Sequence, residues 1–288
     1  MAITMKKQSY LGDFIGVDRE LPKNPKPFPI LKWVGAKTPL FFWMKKFLIK
    51  GDHYYEPFIG GGSVYFYMFR HNLLPDNGTI QLSDLNPRLI NFYRIVRDHP
   101  FSFIDHLYYY EDKNNVEFYN TVKHKKYDNN MLDAGLFYYL NKTSWRGMYA
   151  EDKHGNMSIG FGYRPKVKFV EHKKILNMSA SLQNVTLLNM GWEEALKDVP
   201  KGSFVYLDPP YYELYTEYTK HGFTVFQHRQ LRDRCNELWK DGVLVLQSNT
   251  DVPDVRDMYD GWKFDSQEIL YQVNFKKKKE LVIYNYEI

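Results

Sequence analysis

The chain of 288 residues carries a single cysteine, Cys235. One thiol excludes an intramolecular disulfide and any zinc site built on several thiolates, and it fits a reducing compartment. No apolar run approaches the roughly 18 residues that a membrane helix needs; the longest aromatic-apolar stretch, Pro39 to Met44, falls far short. Met1 to Tyr10 hold two lysines with no apolar segment behind them, so no secretory signal is expected. These absences predict an intracellular, soluble protein. A metal-ligand cluster such as H-E-x-x-H is missing, so no metal is expected. The dinucleotide spacing G-x-G-x-x-G is missing too, as is the Gly-Lys-Ser/Thr of a P-loop, so nothing is shaped to hold phosphates.

What is present is ordinary in bulk, 44% hydrophobic and 25% charged, with a net charge of +5. The distribution says more than the sum. Basic residues gather at Lys123 to Lys126, Arg164 to Lys174 and Lys276 to Lys279. Each run reads either as a solvated face or as attraction for a polyanion. Aromatics reach 17%, with 24 tyrosines.

Residues 1 to 29 are polar and proline-rich and read as an extended arm. Asp52 to Phe58 reads as a strand, Ile59 to Gly62 as a tight turn, Ser63 as an N-cap-like residue, and Val64 to Phe69 as a helix start. Thr79 to Leu82 is a second strand ending on Ser83-Asp84, followed by helical spacing from Asn86 to Val96. Between Phe101 and His172 the alternation stops, with one good helix at Met131 to Leu140. It returns with strands at Val185 to Leu188, Phe204 to Leu207 and Val243 to Gln247, a helix at Gln227 to Trp239, and a last strand at Glu280 to Tyr286. Lys276 to Lys279 read as a loop before that strand. Strands alternating with helices indicate an α/β parallel sheet, and the middle reads as an insertion into it.

Two elements carry chemistry. The glycine turn after the first strand sits where an open α/β sheet places its ligand crevice, and Asp84, ending the next strand, is either a ribose ligand or a helix cap. The strand Phe204 to Leu207 runs into Asp208-Pro209-Pro210-Tyr211. Two prolines remove backbone donors and fix φ, leaving carbonyls aimed in set directions. A carboxylate and such a carbonyl can each accept one hydrogen of an amino group. Adenine N6 is a poor nucleophile because its lone pair is delocalised into the ring, and two acceptors favour lone-pair density facing an electrophile. Tyr211 offers a face on which a base taken out of a duplex can stack.

From about Lys32 onward the chain resembles the Dam-type N6-adenine DNA methyltransferases (adenine-specific, D12 class). Lys32-Trp33-Val34-Gly35-Ala36-Lys37 resembles the N-terminal motif, Glu56 to Ser63 the cofactor glycine motif, Asp84 the ribose-binding acid, and Asp208 to Tyr211 the catalytic motif. Asn141 to Tyr149 resembles the recognition hairpin, and Tyr218-Thr219 and Gln247 to Asn249 also have counterparts. The resemblance implies S-adenosyl-L-methionine as cofactor, held by Trp33, Lys37, Phe58, Gly60, Asp84, Trp192 and Asp208. It implies catalysis by Asp208, Pro209, Pro210 and Tyr211, and contacts to double-stranded DNA from Lys32, Lys142, Arg146 and Met148.

Two departures bear on this. Gly191 replaces an acid found in several relatives beside Trp192. In the hairpin, Arg146 takes the position of an Asn and Ala150 that of a guanine-reading Arg in relatives that methylate GATC; the form Lys142-Thr143 to Arg146-Gly147 resembles relatives that methylate CATG-like sites.

The expected fold is therefore a Rossmann-like class I methyltransferase sheet with an inserted, mostly helical target-recognition subdomain. Residues 1–30 form an N-terminal extension, 31–100 and 173–288 the S-adenosylmethionine-binding catalytic domain, and 101–172 the DNA target-recognition insertion. The expected reaction is site-specific methyl transfer to adenine N6 in the cytoplasm or nucleoid. Its rivals are the same transfer to an RNA adenine or a cytosine N4, and a DNA-binding relative that no longer catalyses. Restriction partner, replication mark and viral defence are the biological roles compatible with it.

Overall fold

Short strands that are apolar on both faces must be covered on both, and this chain alternates them with helices to do so. The computed structural model describes residues 20–152, 154–164, 166–212, 223–271 and 276–288; residues 1–19 of the expected arm and the Tyr218-Thr219 pair lie outside them. The elements run α1 (Phe41–Met44), β1 (Tyr54–Glu56), α2 (Ser63–Arg70), β2 (Ile80–Asp84), α3 (Pro87–Asp98), α4 (Pro100–Leu107), α5 (Val116–Val122) and α6 (Asn130–Thr143). They continue through α7 (His172–Ser181), β3 (Thr186–Asn189), α8 (Trp192–Ala195), β4 (Phe204–Leu207), α9 (Val225–Lys240), β5 (Leu244–Thr250), α10 (Pro253–Met258), β6 (Lys263–Tyr271) and β7 (Lys276–Tyr284).

The strands form one seven-stranded sheet in the order β3-β2-β1-β4-β5-β7-β6. β3, β2, β1, β4 and β5 are parallel, and β7 runs antiparallel to both β5 and β6. The order reverses direction between β1 and β4, the switch point whose carboxyl edge holds the ligand crevice in such sheets. This is the mixed α/β sheet of the methyltransferase type that the sequence predicts.

Alternation assigns the two faces. Tyr54, Phe204, Tyr206, Leu246, Val282 and Tyr284 point into one core, which also takes in Phe103, Tyr110, Phe137, Tyr138 and Tyr139 of the middle segment. Tyr55, Val205, Leu207, Val245, Leu281 and Ile283 point into the other, packed by Leu231, Cys235 and Leu238 of α9. The middle segment therefore shares the catalytic sheet's core. A buried two-pronged ion pair, Arg88 to Asp133 at 2.9 and 3.0 Å, ties α3 to α6. Among the described residues no helix is long and apolar enough to cross a membrane.

Several boundaries differ from the expectation. β1 is only Tyr54–Glu56, because the chain bends into the glycine turn at Pro57. Ser63 is not the cap of α2. Gly62 is, in the left-handed region at φ +71, and Ser63 Oγ accepts the Lys37 backbone N–H at 3.1 Å. The middle segment holds α4 and α5 besides the long helix, with Asn115 and Asn129 capping α5 and α6. Lys276 to Lys279 are not a loop. They open β7, in register with Glu268 to Tyr271 of β6, a strand the sequence reading missed. Ladder hydrogen bonds come from the backbone whatever the side chains, and lysines are common near sheet edges, where they deter further pairing.

Candidate active site

Three segments converge at the β1–β4 edge. The first is Leu31 to Lys37, which crosses the glycine turn so closely that a Cβ on Gly60 would lie 2.7 Å from the Trp33 ring. The second is the turn itself, held by Asp84, whose Oδ2 accepts the Gly60 N–H at 3.1 Å, and by Tyr93, whose hydroxyl donates to the Gly60 carbonyl at 2.8 Å. The third is Asp208 to Tyr211 at the end of β4.

Lys37, 1% exposed, stands between them. Its Nζ lies 2.7 Å from Asp208 Oδ2, 3.5 Å from Glu280 Oε1 and 2.8 Å from the Gly35 carbonyl, and 4.9 Å from the centre of the Tyr211 ring. Tyr211 donates its hydroxyl to Glu280 Oε1. Glu56, buried at the end of β1, accepts the Tyr54 hydroxyl at 2.6 Å. One ammonium thus pairs with two recessed carboxyls, and its charge also reaches a third, Glu56. Burial pushes the Asp208 carboxyl up to about 6 against the pull of Lys37, and the charge of Glu280 pushes the same way. Burial pushes Glu56 further, to about 8, although the Tyr54 hydroxyl favours its charged form. Glu56 thus holds its proton more tightly than Asp208 does.

Such a centre, a carboxylate beside two prolines and an aromatic face, poses the question of kin. The family model for D12 class N6 adenine-specific DNA methyltransferases matches residues 33–277. The chain belongs to this family. A type II methyltransferase, M1.LlaDCHI of Lactococcus lactis subsp. cremoris, is 28% identical over 90% of this chain and 95% of its own. The type II methyltransferase M.MjaIII of Methanocaldococcus jannaschii is 29% identical over 90% and 99%. The retron Ec67 DNA adenine methylase of Escherichia coli is 30% identical over 80% of each chain. The protein is a DNA adenine N6 methyltransferase.

The other residues singled out in the sequence fall into two groups around this cluster. On the glycine-turn side, Asp84 Oδ1 accepts the Asn86 N–H at 2.9 Å while Asn86 itself caps α3, so Asp84 is not the cap. Burial raises the Asp84 carboxyl above its ordinary value despite two backbone donors. Phe58, half-buried, meets Phe223 edge-on at 6.0 Å. Trp192 is buried at the start of α8, its Nε1 without a hydrogen-bond partner among the described residues. Trp33 stacks on Tyr149 at 6.0 Å and 15°, which joins the N-terminal motif to the hairpin.

The hairpin rises from the end of α6. Bridges Ser144–Phe161 and Glu151–Met157 close it, and Trp145–Gly147 form a tight turn at its base. Arg146 is exposed at φ +55, with its guanidinium 4.4 Å over the Trp145 ring; Met148 is half-buried. Gly147, φ +70, lies under Lys32, where a Cβ would come within 2.3 Å of Cδ. Asn141, fully buried, clamps this corner by accepting the Lys32 N–H at 3.0 Å and donating to the Lys32 carbonyl at 2.7 Å. Lys32 is exposed, and burial of its stem, then Arg164 and Lys142, lower its pKa. Lys142 points elsewhere, into an ion pair with Glu171 beneath the hairpin.

The sequence reading assigned no role to Glu280, Arg88 or Tyr149. For Glu280 a signal existed, since a carboxylate heads a strand that is apolar on both faces. For Arg88 and Tyr149 none did, because their partners Asp133 and Trp33 are distant in sequence.

Proposed function

We propose that this enzyme moves the methyl group of S-adenosylmethionine onto N6 of an adenine swung out of double-stranded DNA, at the centre made by Lys37, Asp208 and Tyr211. The observation that carries the reading is the 2.7 Å contact of Lys37 with Asp208 at the switch point of the sheet. Lys37 engages Oδ2, and the second carboxylate oxygen is left to accept from an amino group. The Pro209 carbonyl is the second acceptor, and Pro210 keeps the turn free of a competing backbone donor. Asp208, 22% exposed, sits too deep for a base still paired in a duplex, so the base must leave the stack. The Tyr211 ring, with Lys37 beside it, supplies a stacking face. The N6–methyl bond would form as the sulfonium S–CH3 bond breaks and leaves a neutral thioether; N6 then gives up one proton, and the Asp208 carboxylate, its pKa raised by burial to about 6, lies where it can take it.

S-adenosylmethionine supplies an electrophilic methyl group on a sulfonium when bound, and the residues suit it. Asp84 lies at the end of β2 with lone pairs to spare for ribose hydroxyls. Beside it Leu85 is 71% exposed, and a Cβ on Gly191 would lie 3.6 Å from its Cδ2. With Trp192 following Gly191, these residues offer an apolar slot for a purine. Trp33, Phe58, Gly60 and Lys37 border the remainder of the cofactor's path. On the DNA side Arg146 and Met148 face base edges, Lys32 meets phosphate, and Lys142 sets the base of the hairpin through Glu171.

The test is Asp208→Ala, with titration calorimetry of S-adenosylmethionine as the check on folding and binding. Transfer should fall far more than ten-fold. Retention of more than about a tenth of kcat, a barrier change under about 1.4 kcal/mol, would move the centre elsewhere.

A further inference from the structure

The parallel strands of the sheet deliver their carboxyl ends to the catalytic edge, but β7 is antiparallel to β5 and delivers its amino-terminal half there instead. Glu280 stands in register with Thr250, the last residue of β5, and so reaches the site from the opposite direction to Asp208. Its neighbours in the strand have plain fates. Lys279 is exposed and accepts the Asp251 N–H through its carbonyl, and Leu281 enters the second apolar core. Glu280 alone among these three turns a charge inward, at 1% exposure. A buried carboxylate costs several kcal/mol unless it is paired and hydrogen-bonded. This one has Lys37 Nζ at 3.5 Å and receives the Tyr211 hydroxyl. Both partners belong to the transfer centre, and both are shared with Asp208.

We propose that Glu280 is a positioning residue of the methyl transfer, which pins the Tyr211 ring by its hydroxyl and holds the Lys37 ammonium between that ring and Asp208. The inference rests on the reading of Asp208 as the transfer centre. Tyr211 follows two prolines on a turn, and its ring would otherwise rotate about its side-chain bonds. Anchored through its hydroxyl, the ring presents a fixed face to a base. Lys37 in turn divides its charge between two carboxylates, so Asp208 keeps a proton affinity that a private ion pair would remove. The negative charge of Glu280 raises the Asp208 pKa, in line with this arrangement.

The experiment compares Glu280→Gln, Tyr211→Phe and the double variant, each with its folded fraction counted by S-adenosylmethionine calorimetry and its melting temperature recorded. Single-turnover rates are read against pH, and a duplex with 2-aminopurine at the target position reports base stacking. Each single variant should lose about ten- to a hundred-fold in rate per folded enzyme, the range for a hydrogen bond to a charged group. The double variant should be no slower than the slower single, since Glu280→Gln weakens the bond that Tyr211→Phe removes. The acid limb of the rate should move to lower pH in Glu280→Gln but stay in place in Tyr211→Phe, because only the former frees Lys37 for Asp208. A wild-type rate per folded molecule with an unmoved acid limb overturns the proposal, even if the melting temperature falls. If Asp208→Ala, run alongside, still transfers methyl groups, it is the assignment of the centre that fails instead.

Discussion

Glu56 offers a direct test of the site's electrostatics. Its carboxyl is 2% exposed, hydrogen-bonded by Tyr54, and raised by burial from 4.5 to about 8. Between those two values the native state keeps a proton that the unfolded chain has released, so the unfolded state binds fewer protons and stability falls as pH rises. The contribution is fully present below about 4.5 and lost by about 8. Glu56→Gln preserves the shape and an oxygen for the Tyr54 hydroxyl but cannot ionise. At about 1.4 kcal/mol per pH unit, the variant should gain about 4 kcal/mol on the wild type between pH 5 and pH 8.5. For a chain of this length that is about 8 °C in Tm, at about 2 °C per kcal/mol. Histidines and other titrating groups remote from Glu56 are common to both proteins and cancel in the difference. Denaturation at matched ionic strength across that range is the assay. Parallel stability curves for the two proteins would refute the argument, because they would mean that Glu56 ionises in the native state as easily as in the unfolded one.

Further outcomes follow from the same site. The pH profile of kcat should show an acid limb near pH 6, where Asp208 takes up its proton; a rate flat down to pH 5 would contradict it. Asp84→Ala should weaken S-adenosylmethionine binding by about 1.5–3 kcal/mol and leave cofactor-free DNA affinity nearly unchanged, both readable by calorimetry. Equal affinity for wild type and variant would assign the ribose to another residue. Arg146→Ala should relax preference at one base pair by about 1–3 kcal/mol, whereas Lys279→Ala should weaken all sequences alike and lower the salt slope by about one unit. A panel of single-base-substituted duplexes at two salt concentrations distinguishes them, and a uniform loss in Arg146→Ala would remove it as a reader.

The parts of the fold set by local pattern were legible in the sequence. β4, β5, α9 and the turn at Gly60 to Gly62 lie where apolar runs and glycines put them, and the Asp208 motif needs only its own four residues to be seen. What was missed depends on distance along the chain. β6 exists because β7 pairs with it, and the sequence of Lys263 to Tyr271, with Asp265, Gln267 and Glu268, has no strand-like alternation strong enough to stand alone. Lys142 reads as a free cation in a basic hairpin until Glu171 is placed beneath it. Glu280 reads only as the first residue of the last strand until the antiparallel course of β7 brings it to Lys37. Asp84 carried two readings, and only the placement of Asn86 as the cap of α3 resolved the second.

The shared apolar core has a bearing on how such an enzyme can change its target. Phe103, Phe137 and Tyr138 of the middle segment pack in the same core as Tyr54 and Phe204 of the sheet, and Arg88 is locked into Asp133 across the junction. A segment rooted in this way is not a cassette. Grafting residues 101–172 from a relative would import half of an interior and leave the other half unmatched, with a buried guanidinium stranded if Asp133 were lost. The turn at the base of the hairpin is different, since Trp145 and Arg146 project from a frame fastened at Asn141 and touch little of that interior. New specificities in this lineage should therefore arise by single exchanges in that turn, made one at a time on an unchanged root.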